Sequence, residues 1–283
     1  MSERKESVSI HRILVAVDAS PHSQAALEAA VDLAARFNAE LEGLFVEDLN
    51  VLRAAEMPSA QELGKYSARR RRISVHEIER HFRARSRQMR RVFRALVERE
   101  GITGAFRVAR GMVQSEIQLA AERADVLIIG RVGWSGIRPR RLGSTARAAC
   151  FDEAPRVTVM VQKDARLEPP ILVVYDGSSM AGKALAIGAA LVDETSGPLR
   201  ILLVAEDEEA LPSIRAQANA CVQGLPMMRQ YQGLATGSVA HLAHVIRGTG
   251  SGTLVLPAEL APLRDDLVSE LVERVEIPVL LVR

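Results

Sequence analysis

The stretch Ile13-Leu14-Val15-Ala16-Val17-Asp18-Ala19-Ser20 returns later in the same chain as Ile171-Leu172-Val173-Val174-Tyr175-Asp176-Gly177-Ser178. A continuous apolar run of this length, without polar alternation, is the pattern of a strand buried on both faces of a parallel sheet. An aspartate closes each run, and Ser20-Pro21 then supplies a helix N-cap and a first helical residue. A register of 158 residues aligns the copies and carries Ala26 onto Ala184, Leu27 onto Leu185, Leu41 onto Leu199, Leu44 onto Leu202 and Val46 onto Val204 without a gap. The chain therefore reads as a duplicated domain. Residues 1–166 form the first copy and 167–283 the second, with Leu167-Glu168-Pro169-Pro170 as the linker.

The rest of each copy alternates strand and helix. In the first, Ala26, Leu27, Ala30, Val31, Ala34 and Phe37 give a helical stripe. Strands follow at 41–46, 104–109, 125–129 and 157–161, with helices at 112–123 and about 143–152. The second copy repeats strands near 171–175, 199–204, 228–233, 253–256 and 279–282. This alternation predicts an α/β fold of two tandem open parallel sheets with helices on both faces. In such sheets ligands bind beyond the carboxyl ends of the strands, where the strand order reverses. Asp18, Val46 and Gly130 close strands one, two and four, and they share one crevice if strands one and four are neighbours.

The chemistry concentrates after the fourth strand. Asp125-Val126-Leu127-Ile128-Ile129 leads into Gly130-Arg131-Val132-Gly133, then nine residues, then Gly143-Ser144 and the helix-forming Thr145-Ala146-Arg147-Ala148-Ala149. Strand, glycine loop and helix start make an anion site, because backbone N–H groups lie uncovered where the helix dipole is positive. Glycine lets the backbone approach a phosphate closely, and Ser144 adds a hydroxyl donor. Arg131, Arg138, Arg140 and Arg141 either pair with phosphates through bidentate hydrogen bonds or stay solvated. Trp134 either covers the loop or belongs to an interface. In the second copy Gly130 aligns with Pro257, Gly133 with Leu260 and Gly143 with Asp265. Proline lacks an N–H and aspartate repels a phosphate, so that copy reads as a scaffold without the site. Aligning Pro155 with Pro278 makes its following connection four residues shorter.

Composition sets the class. With 283 residues, 48% of them hydrophobic, the chain has material for two cores, and a net charge of +2 advertises no polyanion as its partner. Cys150 and Cys221 fall in different copies without metal-ligand spacing and read as thiols of a reducing compartment. The polar start and the lack of a long apolar run make the cytoplasm the expected location.

Between strands two and three lies an arginine-rich segment, Arg69 to Arg99, headed by Arg69-Arg70-Arg71-Arg72. Ile78, Phe82, Met89, Phe93 and Leu96 fall at helical spacing, which predicts an amphipathic helix packed on the sheet. Its arginines are then solvated or paired with Glu77, Glu79 and Glu98. Contact with nucleic acid, an anionic membrane or an acidic partner is the competing reading, and the scarcity of aromatics counts against single-stranded nucleic acid. His241 and His244 stand three apart on a helix without an accompanying ligand and read as surface or packing residues rather than metal ligands. No G-x-x-x-x-G-K-[ST] loop and no G-x-S-x-G elbow is present. Efficient turnover is therefore not indicated, and no catalytic residue is assigned.

These residues resemble the universal stress protein family. The resemblance rests on Val15-Ala16-Val17-Asp18-Ala19-Ser20, on Leu44-Phe45-Val46-Glu47 and on the glycine pattern at 130–144. It covers nearly the whole chain as two tandem copies. It implies five-stranded sheets of order 3-2-1-4-5 and a nucleotide-responsive regulatory or stress-adaptation module that binds ATP, with Mg²⁺ or Mn²⁺ as companion ion. Asp18 with the backbone of Ala16 and Val17 would hold ribose and adenine, and Val46 the adenine edge. Gly130, Gly133, Gly143, Ser144 and Thr145 would cradle the phosphates, with Arg131 beside them. The family pairs as twofold dimers through strand five, so the two copies are expected to pair with each other about a pseudo-twofold axis, with homodimerisation of the chain and an unidentified protein partner left open. The rival readings are a slow ATPase or phosphate-transfer protein, and a scaffold that uses the basic helix.

Overall fold

A computed structural model describes residues 9–57, 61–63, 70–72, 74–133, 142–149, 155–192, 197–236, 238–260 and 267–283. The first half runs β1 (Arg12–Val17), α1 (Pro21–Phe37), β2 (Glu40–Asp48), α2 (Leu49–Glu56), β3 (Gln61–Leu63), β4 (Arg70–Arg72), α3 (Val75–Glu100), β5 (Gly104–Gly111), α4 (Val113–Ala121), β6 (Val126–Gly130), α5 (Ser144–Ala149) and β7 (Val157–Val161). The second runs β8 (Ile171–Tyr175), α6 (Ser179–Ala190), β9 (Leu199–Ala205), α7 (Leu211–Cys221), β10 (Arg229–Ala235), α8 (Val239–Gly248), β11 (Thr253–Pro257), α9 (Leu267–Arg274) and β12 (Val279–Val282).

All the long strands belong to one ten-stranded sheet of order β10-β9-β8-β11-β12-β7-β6-β1-β2-β5. Each half is parallel with the order 3-2-1-4-5, and the halves meet where β12 pairs antiparallel with β7. The fold is thus the expected one, with the two sheets fused into one. Val159 lies opposite Leu280, and the neighbouring pairs step away symmetrically as Met160 with Val279 and Thr158 with Leu281. In the parallel registers Gly130 pairs with Val161 just as Pro257 pairs with Val282. Val159 and Leu280 are therefore equivalent residues, and the pseudo-twofold axis passes through that pair.

The same registers correct the alignment of the last strand. Val282, not a residue two positions on, occupies the place of Val161, so the connection after β11 is six residues shorter rather than four. A single shared proline misled the alignment, because Pro278 stands at the place of Val157 and not of Pro155.

One apolar layer covers each face across both halves. Ile13, Val15 and Val17 point toward α1, and the other layer joins Leu14, Leu127 and Ile129 to Ile117 of α4 and Leu271 of α9. Alanines 25, 26, 29, 30 and 34 are buried, so α1 lies close on the sheet. Its N-terminus is capped by Ser20, which accepts from the Ser23 N–H.

The arginine-rich segment divides. Arg70–Arg72 is strand, paired antiparallel with Gln61–Leu63, so the expected helix does not include it; Arg69 lies outside the described residues. The helix begins only after Ser74, where a reciprocal capping box with Glu77 fixes the start, and it ends at Gly101 in the left-handed conformation. Phe82, Met89 and Phe93 are buried while Ile78 and Leu96 are partly so, as the spacing predicts. Gly43 and Gly104 make room for Phe93: a Cβ on Gly43 would come within 2.9 Å of its ring. The outward face carries Arg87, Arg90, Arg91 and Arg94 around an open depression of about 200 Å³. No described helix is long and apolar enough to cross a membrane.

The seam carries a direct prediction. Residues 1–166 alone keep the pairing of β7 with β6 but leave the backbone N–H and C=O groups on its other edge unpaired along an apolar strand. Light scattering should show this fragment dimerising or aggregating with concentration while the full chain does not; a stable monomeric fragment at high concentration would contradict the seam's importance.

Candidate functional site

Three strand ends meet as the sequence suggests. β1 lies between β2 and β6, with Ala16 opposite both Leu44 and Ile129. Asp18 follows β1 at the point where the chain order reverses, and its Oδ1 accepts from the Ser20 N–H at 2.9 Å. Asp176 repeats this contact with the Ser178 N–H at 2.9 Å, so the turn itself is common to both halves. Between them sits a residue with positive φ: Gly177 at +87° in the second half and Ala19 at +63° in the first. Alanine in that region is strained, and only the half with the glycine loop bears the strain.

The glycine loop reaches Asp18 from the other side. A Cβ on Gly133 would stand 3.1 Å from the Asp18 Oδ2, and one on Gly143 would stand 3.3 Å from the Gly133 nitrogen. The loop is closed by the Gly143 N–H donating to the Arg131 carbonyl at 2.9 Å. Gly143 therefore spends its own N–H inside the loop, which leaves those of Gly133, Ser144 and Thr145 as the candidate donors. Ser144 and Thr145 open α5, where N–H groups have no partner one turn back. Ser144 and Gly133 are solvent-exposed. Gly130 has a packing task as well. A Cβ there would come within 2.9 Å of the His22 carbonyl carbon, so this glycine lets α1 pack over the end of β6. Val46 and Ala16 are partly buried on the α4 side of the sheet, whereas Val17 is buried among the residues on the α1 side.

Arg131 departs from the expectation. It is only 8% exposed, and its guanidinium donates to the carbonyls of Val272 at 2.5 Å and Glu273 at 2.8 Å, and also to that of Val275. Its charge is turned away from the loop into the C-terminus of α9, so it is corrected from phosphate contact to inter-half contact. The physical reason is the seam, which sets α9 behind the loop, where its last carbonyls need donors. Trp134, Arg138, Arg140, Arg141, Cys150 and Asp265 lie outside the described residues. His241 and His244 are exposed on α8, and among the described residues no metal-sized group of ligating side chains occurs.

Some residues near the site were not singled out in the sequence. His22, in the first turn of α1, has a lowered pKa because burial disfavours its charged form, against the attraction of Asp18 and with the repulsion of Arg131. Its Nδ1 accepts the Lys163 N–H at 3.0 Å, which leaves the ring proton on Nε2 in the neutral form. Arg85 of α3 is half-buried within electrostatic reach of Asp18; burial lowers its pKa and Asp18 opposes that. Glu47, buried at the end of β2, is held by Arg110 at 2.8 Å, and Arg110 also meets Glu79 of α3 at 3.3 Å. His22 was within reach of sequence reasoning, since a helix starting at Pro21 must set its first turn over β6. Arg85 was not, because nothing in an amphipathic stripe says which strand end it overhangs.

The family model described as universal stress protein family matches residues 9–151. The chain belongs to the universal stress protein family. Among solved structures it is similar to a universal stress protein from Archaeoglobus fulgidus DSM 4304, at 18% identity and a TM-score of 0.70, over 96% of this chain and 98% of that one. A Pseudomonas aeruginosa PAO1 protein of unknown function aligns over 97% of this chain and 92% of its own, at 13% identity and a TM-score of 0.51. The universal stress protein of Lactobacillus plantarum aligns over 54% of this chain and 99% of its own, at 19% identity and a TM-score of 0.40. No curated protein matches the sequence. The first two likenesses extend over both halves, so the tandem architecture of this universal stress protein is a shared fold.

The lowered His22 pKa makes a prediction about stability. A base whose pKa falls on folding leaves the unfolded chain binding more protons, so stability is full above the unfolded value of 6.5 and declines as pH drops below it. His22→Asn, which keeps an acceptor for the Lys163 N–H and cannot charge, should flatten urea-unfolding stability against pH just below 6.5. An unchanged slope would show that His22 charges freely.

Proposed function

We propose that this universal stress protein is a nucleotide-responsive module that holds one ATP in its first half and acts in regulation or stress adaptation rather than by turnover. The observation that carries the reading is the meeting of Asp18, Gly133 and Gly143. The three are packed so closely that a Cβ on either glycine would enter the space beside the carboxylate or the neighbouring backbone. Such a bare-backbone cradle beside a carboxylate suits a ribose and its phosphates, so the residues fit the group. In this reading Asp18 accepts from ribose hydroxyls, the backbone at Ala16 and Val17 and the edge of Val46 border the base, and the N–H groups of Gly133, Ser144 and Thr145 face the phosphates. A bound Mg²⁺ or Mn²⁺ would neutralise phosphate charge.

The second half keeps the turn at Asp176 but has proline at the end of β11 and a buried leucine, 2% exposed, at the position of Gly133. A proline cannot donate, and the leucine is packed into the core where the first half has an exposed glycine, which supports one nucleotide per chain. Against the hydrolase reading stands the tautomer of His22, the base that packing adds near Asp18. With Nδ1 occupied as an acceptor, its outward nitrogen donates and cannot take a proton from water. The scaffold reading draws on the arginine face of α3, where Arg87, Arg91 and Arg94 have no ion-pair partner among the described residues. It is compatible with a nucleotide in the first half.

Titration calorimetry with ATP and Mg²⁺ should give a stoichiometry near one per chain. Gly143→Leu should abolish the heat, because the side chain meets the Gly133 backbone. Ser144→Ala should weaken binding by about 0.5–1.5 kcal/mol, the net worth of one hydrogen bond. A stoichiometry near two, or full binding by the Gly143→Leu variant, would overturn the assignment.

A further inference from the structure

The two helices that follow the fourth strand of each half, α5 and α9, lie on opposite sides of the seam, and each ends on donors from the other half. At α9, Arg131 binds the carbonyls of Val272, Glu273 and Val275, and Gln162 donates to that of Glu276. At α5, Arg283 donates to the Ala149 carbonyl at 2.6 Å, to Thr158 Oγ1 at 3.1 Å and to the Pro155 carbonyl at 3.5 Å. Gln162 and Arg283 are equivalent, being the residues that follow Val161 and Val282. Arg131 has no such twin: the residue after Pro257 is Ala258, although its N–H repeats the backbone bond, to Val282 at 2.7 Å, that Arg131 makes to Val161 at 2.8 Å. A third link, Arg147 of α5 to Glu273 of α9 at 3.7 Å, joins the helices directly.

These bonds give the second half a role. The last carbonyls of a helix are unsatisfied within it, and supplying donors to them fixes where the helix ends and adds a favourable charge–dipole contact. Arg131 sits inside the glycine loop, where its carbonyl closes the loop onto Gly143 while its side chain grips α9. Any movement of the loop therefore pulls on the second half, and any loosening of the second half frees both the loop and the end of α5.

We infer that the second half is the positioning support of the phosphate loop, with Arg131 and Arg283 as the two positioning residues, so that occupancy of the first-half site is transmitted to α9. The inference rests on the first half being the nucleotide-binding one. Neither arginine touches the ligand. Both act through backbone they hold in place, and this accounts for the retention of a half that has lost its own loop.

Hydrogen-exchange mass spectrometry on the full chain tests it, with the wild type, Arg283→Ala and Arg131→Lys each measured alone and with ATP and Mg²⁺. Lysine keeps the charge at position 131 but cannot make the forked set of bonds. Without nucleotide, Arg283→Ala should speed exchange at residues 144–149, and Arg131→Lys should speed it at 267–276, each about tenfold, while β1 and β8 stay protected. With ATP, the wild type should gain protection at 267–276, and Arg131→Lys should lose most of that gain and bind ATP roughly 5–10-fold more weakly. Unchanged exchange of both segments in the free variants would overturn the support, whether or not ATP binds. Faster exchange with wild-type ATP affinity and no ATP effect at 267–276 would reduce the arginines to structural links and overturn the transmission. A wild type that binds no ATP would instead refute the nucleotide reading, and transmission with it, leaving the free-state exchange to decide the support alone.

Discussion

An open parallel sheet must do something with the edge of its last strand, and in this chain that need organises everything else. β7 and β12 are short, apolar and fully buried, and the outer edge of neither is paired within its own half. Pairing them antiparallel satisfies both ladders at once and places a pseudo-twofold axis between Val159 and Leu280. The linker holds the halves at high effective concentration, so the pairing costs little association entropy. The twofold relation then dictates which surfaces meet. It brings the ends of α5 and α9 to the seam, where Arg283 and Arg131 find helix carbonyls to bind.

Symmetry in the scaffold makes the asymmetry in the site informative. Both halves keep the aspartate turn, the serine cap and the strand registers. The differences lie in the loop after the fourth strand, in the turn after the first and in the extended segment before the third. In the first half the loop is glycine-built and the turn carries a strained alanine, while in the second a relaxed glycine turn faces a proline-ended strand. Strain retained on one side of a near-symmetric molecule is a mark of use.

The duplication and the strand ends that carry Asp18 and the glycines were legible because they depend on local pattern, namely apolar runs, turn residues and spacing, whereas the strand order that brings them together came from the family resemblance. Residue roles set by tertiary approach were not. Arg131 reads from sequence as a phosphate ligand because it sits in the loop, and only the position of α9 behind it turns the side chain away. The strand at Arg70–Arg72 was hidden inside a charge run, since a capping box, not the composition, decides where α3 begins. The register of β12 was misjudged for a similar reason: a proline fixes φ at one residue, whereas the ladder with β11 fixes the whole strand.

The central claim is that one half holds the nucleotide and the other holds the first half in shape. Photolabelling the full chain with an azido-ATP analogue and mapping the labelled peptides tests it most directly. The account predicts label, competed away by ATP, confined to first-half peptides around Ala16–Asp18, Val46 and Gly130–Thr145. Competable label on second-half peptides around Asp176 or Pro257 would contradict it.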